Sequence, residues 1–316
     1  MKSLRIIYMG TPAFALGPLK HIHNSPHKIV SVITTPDRKS GRGKQLTPSP
    51  VKSFSEEVGL PVLQPTNLKD IDFLSHLEAL KPDVIVVVAF RMLPKEVWSI
   101  PLYGTFNLHA SLLPQYRGAA PIHWAIINEE KETGVTTFFI DEKIDTGKII
   151  LQKKITIHEK ETTGSLSNKL EEIGRHLVLE TLNAIASEVV MTKPQPEKEH
   201  LQAAPKLTRD NTQINWNQSG RSIERLVRGL QPTPCAWTLL TNKEKTVRCK
   251  IITVEFHQGP KNDEIGKISV NNKQLFVQVS DGEIHVTRLQ LPNKKSLSDS
   301  ELVNGYAFDD DAKFEN

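Results

Sequence analysis

The sequence predicts an α/β fold in two parts, a parallel-sheet domain followed by a small β-barrel. Three observations carry that reading. Apolar runs alternate with helix-like segments over the first half, short apolar runs separated by turn residues crowd the second, and a proline-rich stretch divides the two. The chain has 316 residues, more than one hydrophobic core usually organises, so two domains are the starting expectation.

In the first half, residues 4–9, 29–34, 84–90 and 105–108 are runs of strands buried on both faces. Residues 13–23 and 68–80 have helical character and lie between them, which implies a parallel sheet covered on both sides. Residues 135–140 and 149–157 continue the strands, and 163–186 reads as a long closing helix capped by Thr162 or Thr163. The first domain is therefore expected to span residues 1–189. Residues 190–205 carry three prolines, mixed charge and no apolar period, and read as a semi-rigid linker.

The pattern changes over residues 206–316. One helix is expected at 222–230, then strands at 236–240, 250–256, 266–270, 275–279 and 284–291. Turn pairs such as Asn271-Asn272 and Asp281-Gly282 separate them, and closely spaced short strands predict a barrel. Residues 206–298 hold 15 Lys and Arg against 8 Asp and Glu, whereas 299–316 hold 1 against 6. A basic barrel with an acidic tail fits a nucleic-acid partner; a solvated barrel with a disordered end fits the same counts.

Composition narrows the function classes. The longest apolar run, residues 84–90, is far shorter than the roughly 20 residues of a membrane span, and the first residues enter a Gly-Thr-Pro turn at once. With only Cys235 and Cys249, and no Cys/His cluster at metal-ligand spacing, the chain reads as reduced, metal-free and cytoplasmic. The turn Gly10-Thr11-Pro12-Ala13-Phe14-Ala15-Leu16-Gly17 lacks the glycine spacing for a dinucleotide pyrophosphate. Gly43-Lys44 is no phosphate loop either, because Arg38 stands where its first glycine belongs.

The chemistry concentrates in residues 106–124, which contain Phe106-Asn107-Leu108-His109-Ala110-Ser111-Leu112-Leu113-Pro114. Asn107 and His109 are two apart at the end of a predicted strand, so their side chains share a side. The C-terminal edge of an open parallel sheet is where ligands bind. An amide can donate to an oxygen that gains negative charge, and an imidazole can exchange a proton near neutrality. Acyl transfer to an amine needs both functions, and neither needs a metal. On spacing alone, Asn-x-His is a weak motif and reads first as a turn residue beside a hydrogen-bonded histidine at a strand end. Asp145, in the turn Asp145-Thr146-Gly147, is the carboxylate that could hold His109, with Asp141 as its competitor.

Several separated motifs resemble one family in the right order. His109-Ala-Ser-Leu-Leu-Pro114, Tyr116-Arg-Gly118, Pro121 and Trp124-Ala-Ile126 are similar to the formyltetrahydrofolate-dependent formyltransferases. So are the opening Gly10 to Ala15 turn, the loop of residues 35–44, the Asp145-Thr-Gly147 turn and the stretch from Lys206 to Trp216. The resemblance covers nearly the whole chain and is nearest to the branch whose acceptor is methionyl-tRNA. It implies a Rossmann-like formyltransferase domain and a barrel resembling an OB fold that binds the tRNA backbone. It also implies 10-formyltetrahydrofolate as formyl donor, no metal, no membrane and a monomeric chain.

By that resemblance Asn107 would hold the formyl oxygen, His109 would mediate proton transfer, and Asp145 would support His109. Ser111, Leu112, Leu113 and Pro114 would line the folate site, with backbone near residues 89–92 against the pterin. Arg42, flanked by Arg38 and Lys44, would approach the tRNA acceptor end. The family commonly has glycine where Arg91 stands, which leaves that pocket wall open to the structure. Two other readings remain: a formyltransferase for an amino sugar or another small amine, and a non-catalytic RNA-binding protein that keeps the fold.

Overall fold

We describe the protein from a computed structural model, which covers residues 2–40, 45–197, 200–261 and 263–316. These form two compact units, each assembled from three stretches of chain. The first comprises Met1–Pro121, Glu132–Thr156 and Ser167–Ala203; the second comprises Ile122–Lys131, Ile157–Leu166 and Ala204–Asn316.

The first unit is built on a seven-stranded sheet of β1 (Arg5–Gly10), β2 (Lys28–Ile33), β3 (Val62–Leu63), β4 (Val84–Val88), β5 (Thr105–His109), β6 (Glu132–Phe139) and β7 (Ile149–Thr156). Their spatial order is β7-β6-β5-β4-β1-β2-β3. β1 to β5 run parallel. The parallel sheet expected from the sequence is extended at one edge by two reversed strands: β6 runs antiparallel to β5, and β7 to β6. No helix intervenes between β6 and β7, and without a crossover two neighbouring strands pair head to tail.

Helices α1 (Leu16–His23), α2 (Pro50–Glu57), α3 (Ile71–Ala79) and α4 (Lys95–Trp98) connect the parallel strands, α5 (Pro121–Ile127) follows β5, and α6 (Thr163–Ala186) follows β7. Ser49 caps α2 through a bond from Lys52 N, with Pro50 at its first position, and Asp70 caps α3 through Phe73 N. The run Val84-Ile85-Val86-Val87-Val88 is buried along its whole length, as a strand with helices on both faces requires. Ile7, Met9, Ile33, Ile85, Val87 and Leu77 meet in one core cluster. Because β1 has β2 on one side and β4 on the other, the strand order reverses there, and the C-terminal ends of β1, β4 and β5 border the switch point.

The second unit holds α7 (Gly220–Gly229), α8 (Asp299–Val303) and strands β8 (Ala236–Asn242), β9 (Lys245–Gln258), β10 (Ile268–Asn271), β11 (Gln274–Val279), β12 (Gly282–Gln290), β13 (Ser296–Ser298) and β14 (Lys313–Glu315). The sheet runs β10-β11-β12-β9-β8-β14, with β13 added on β12. Its ends meet, because Phe314 N donates to Gly266 O at 2.8 Å and Ile268 N to Ala312 O at 2.9 Å. The acidic tail is thus part of the barrel: Phe314 is buried and stacks on Trp216 at 5.3 Å. Both cysteines are free, and burial pushes the Cys249 thiol up to about 12. Among the described residues, no helix is long and apolar enough to cross a membrane.

Candidate active site

Asn107 and His109 sit two residues apart on β5, paired with Val87 of β4 and with Phe138 and Thr136 of β6. Asn107 is partly exposed, and among the described residues its amide makes no hydrogen bond. His109 is 6% exposed, and its ring meets Phe138 edge-on at 6.5 Å. Its Nε2 lies 2.8 Å from the Tyr116 carbonyl oxygen, so that nitrogen carries the hydrogen and donates. Nδ1 faces Asp145 Oδ2 at 3.8 Å. Both ring nitrogens therefore look at acceptors, and a neutral imidazole has one hydrogen for the two of them. A proton taken up at Nδ1 is received next to a carboxylate.

Asp145 reaches this position on a left-handed turn residue, with φ 56°. Its Oδ2 accepts from Gly118 N at 2.9 Å, which ties the carboxylate to the loop after β5. A Cβ on Gly147 would lie 1.6 Å from the Phe139 carbonyl oxygen, so only glycine lets the turn close against β6. Asp141, the competing carboxylate, is spent inside its own turn: Oδ1 accepts from Lys143 N and from the Thr146 hydroxyl. At the neighbouring strand end, a Cβ on Gly10 would stand 2.7 Å from Ala15 Cβ and 3.1 Å from the Val88 carbonyl oxygen, so the glycine lets β1 finish against β4.

The stretch Ser111 to Pro114 is largely committed to structure. Ser111, Leu113 and Pro114 are buried, and Leu112 is partly exposed. The Ser111 hydroxyl donates to Gln115 O at 2.6 Å, and the Ser111 carbonyl accepts from Thr136 Oγ1 at 2.6 Å. Leu113 N donates to that same threonine oxygen, and Gln152 Nε2 bonds both it and Leu113 O. At the end of β4, Ala89 has φ 46° and Met92 is 70% exposed. Arg91 does not fill the space beside them: its guanidinium donates to Thr66 O at 2.9 Å and Pro65 O at 2.5 Å. Burial holds that guanidinium below its ordinary value.

Arg38 is exposed at the start of a short ribbon in which residues 38–40 pair with 45–47. The ribbon's root is fixed by Asp37, which accepts from Lys52 Nζ at 2.7 Å and Gln64 Nε2 at 2.8 Å. Those bonds, led by the one from Lys52, hold the Asp37 carboxyl below its usual range. Arg42 and Lys44 lie outside the described residues.

Gln195 went unnoticed in the sequence. Its Nε2 donates to Asp145 O at 2.8 Å and Gly147 O at 2.9 Å, while its Oε1 accepts from Arg117 Nε at 3.1 Å and Nη2 at 2.6 Å. Nearby, Lys193 and Ile149 exchange backbone bonds, and Tyr116 N donates to Gln202 O. The available signal was Pro194-Gln195-Pro196, two prolines that hold an amide side chain on an extended segment. A cavity of about 590 Å³ beside this segment takes in Thr146, Gln195 and Arg117, and leaves Asn107 and His109 outside its lining.

A strand-end amide and imidazole, a turn carboxylate and a folded-back loop on this topology invite comparison with known proteins. A model described as formyl transferase matches residues 2–182, and a model of the formyl transferase C-terminal domain matches residues 206–307. The chain belongs to the formyl transferase family. This formyl transferase is 47% identical over 313 residues to the methionyl-tRNA formyltransferase of Flavobacterium johnsoniae, covering 99% of both chains. It superposes on an N-formyltransferase from Helicobacter canadensis, solved with folinic acid and dTDP-3-aminofucose, with a TM-score of 0.67, 20% identity and coverage of 91% and 99%. HypX from Aquifex aeolicus in complex with tetrahydrofolic acid gives a TM-score of 0.66 at 18% identity, over 96% of this chain and 47% of that longer one. At those identities the likeness is one of fold. Both units of the formyl transferase take part in it.

Proposed function

We propose that this enzyme transfers the formyl group of 10-formyltetrahydrofolate to the α-amino group of methionyl-tRNA. The observation that carries the reading is the match along 99% of both chains, at 47% identity, to a methionyl-tRNA formyltransferase. The basic surplus of 15 against 8 over residues 206–298 supports an RNA acceptor over an amino sugar, which needs no basic barrel.

In this reading the amine nitrogen attacks the formyl carbon, and the carbonyl oxygen of the tetrahedral intermediate gains negative charge. Asn107, whose partly exposed amide has no bond among the described residues, donates to that oxygen. His109 accepts a proton from the attacking nitrogen at Nδ1, beside Asp145, and the proton passes to the leaving folate nitrogen as the carbon–nitrogen bond breaks. Asp145 stabilises the imidazolium formed in between, and the Tyr116 carbonyl holds the ring in place. Folate lies along Leu112 and the backbone of residues 89–92, with Ser111, Leu113 and Pro114 shaping the wall from behind. Arg38, Arg42 and Lys44 meet the acceptor end of the tRNA. Residues 190–205 join a catalytic domain of residues 1–189 to a tRNA-binding barrel of residues 206–316, in a monomeric cytoplasmic protein.

The test is mass analysis of methionyl-tRNA after incubation with the enzyme and 10-formyltetrahydrofolate. Formylation of the aminoacyl group is the expected result. Formylation of free amino sugars with charged tRNA untouched overturns the reading.

A further inference from the structure

On the barrel, two adjacent strands bring two imidazoles and two carboxylates into one block. Side chains alternate faces along a strand, so Glu255 and His257 share one face of β9, and Glu283 and His285 share one face of β12. Phe256, between the first two, packs on the barrel core. The register sets Glu255 opposite His285 and His257 opposite Glu283. His285 Nδ1 lies 4.0 Å from Glu255 Oε2, and His257 Nδ1 lies 3.9 Å from Glu283 Oε1. One nitrogen or carboxylate oxygen from each of Glu255, His257 and His285 falls within 4.8 Å of the other two.

The environment of His285 is what lifts this block above an ordinary charged sheet face. The residue is buried and stacked on Phe276 at 4.9 Å, and its Nε2 meets Asp299 Oδ2 at 2.7 Å. A carboxylate only accepts, so the hydrogen sits on Nε2 and the lone pair of Nδ1 is turned toward the Glu255 carboxylate. Acceptor facing acceptor is unfavourable unless a proton or a metal ion stands between them. A carboxylate that orients a histidine through one nitrogen, with the other nitrogen free, is also the usual support of a metal-bound imidazole.

We infer that Glu255, His257 and His285 form a binding site for a divalent transition metal of the zinc type, with Asp299 orienting His285 from behind. Two imidazole nitrogens and a carboxylate oxygen suit zinc and its neighbours better than the oxygen-seeking magnesium or calcium. Tetrahedral zinc, with bonds of about 2.0–2.1 Å, sets its ligand atoms about 3.4 Å apart. Glu255 and His257 are exposed and swing inward to close the difference, while the buried His285 is already fixed. The site belongs to the second unit, whereas Asn107, His109 and Asp145 belong to the first. A metal there would tie β9 to β12.

The experiment is calorimetric titration of the untagged, chelator-treated full chain with zinc chloride, repeated with cobalt chloride while the visible ligand-field bands are recorded. Saturable uptake of about one ion per chain is expected, with a rise in melting temperature on binding. Asp299→Asn is expected to weaken it about 10- to 100-fold. His257→Ala, at an exposed position where folding is not at risk, is expected to abolish the tight phase and the cobalt bands. No saturable uptake, or uptake of equal affinity in His257→Ala, overturns the assignment.

Discussion

Gln195 holds Asp145 by its main chain, with its amide nitrogen 2.8 Å from the Asp145 carbonyl oxygen. The same nitrogen reaches Gly147 O, and the amide oxygen takes two bonds from Arg117, so one side chain fixes both ends of the acidic turn. The carboxylate is thereby left to face His109. Gln195→Ala removes these bonds and strands the Arg117 guanidinium, a loss of about 1–3 kcal/mol by the usual cost of unpaired polar groups. We expect kcat for formyl transfer to fall about tenfold with folate affinity unchanged, read by steady-state kinetics beside equilibrium folate binding. Equal loss of both would make Gln195 a general stabiliser instead.

Asn107→Ala and His109→Ala are expected to abolish most turnover while folate binding survives. For Asn107 the loss is about 3 kcal/mol, on the scale of one oxyanion donor, or more than 100-fold in kcat. Single-turnover assays with folate and acceptor pre-bound separate the chemical step from affinity. Intact single-turnover rates with weakened folate binding would remove both residues from the chemistry.

Gly147→Ala tests the turn from the backbone side. The new Cβ would sit 1.6 Å from the Phe139 carbonyl oxygen, an atom of β6 with nowhere to move. The turn must open, taking Asp145 away from His109. Overpacking of this kind costs about 1–3 kcal/mol, so the urea midpoint should fall together with kcat.

Much of this architecture was legible in the sequence, for physical reasons that differ by element. Val84 to Val88 declared itself because a β-branched run buried on both faces has few other uses. Asn107 and His109 were legible because a period of two puts them on one side of β5. The reversal of β6 and β7 was hidden, since an isolated strand carries the same alternation in either direction. β14 was hidden too: three residues in an acidic tail give no period, and only the burial of Phe314 explains them. Gln195 was invisible because its partners stand 50 and 48 residues away, and a Pro-Gln-Pro segment reads as a spacer until something is seen to bond it.

His27 gives the first unit a pH dependence with a defined sign. Its Nδ1 accepts from Leu4 N at 3.3 Å and its Nε2 meets Asn183 Oδ1 at 3.1 Å, so the neutral ring satisfies both partners. Burial holds its imidazole below the ordinary value, against the opposing pull of Asn183. A depressed folded value means that stability from this group is complete above the unfolded value, about 6.5, and is lost as pH falls through the lower folded value. Protonation puts a hydrogen on Nδ1 and breaks the bond from Leu4. Burial also lowers His21 and His123, in the same sense. Glu171, raised by burial, titrates in the opposite sense, so the His27 share is read as a difference between proteins. We expect the melting temperature of the wild-type chain to hold from pH 8 to 7 and to decline below about pH 6.5. In His27→Asn the decline should be shallower, with a lower plateau at neutral pH. Parallel curves for the two proteins would show that His27 is not a source of the dependence.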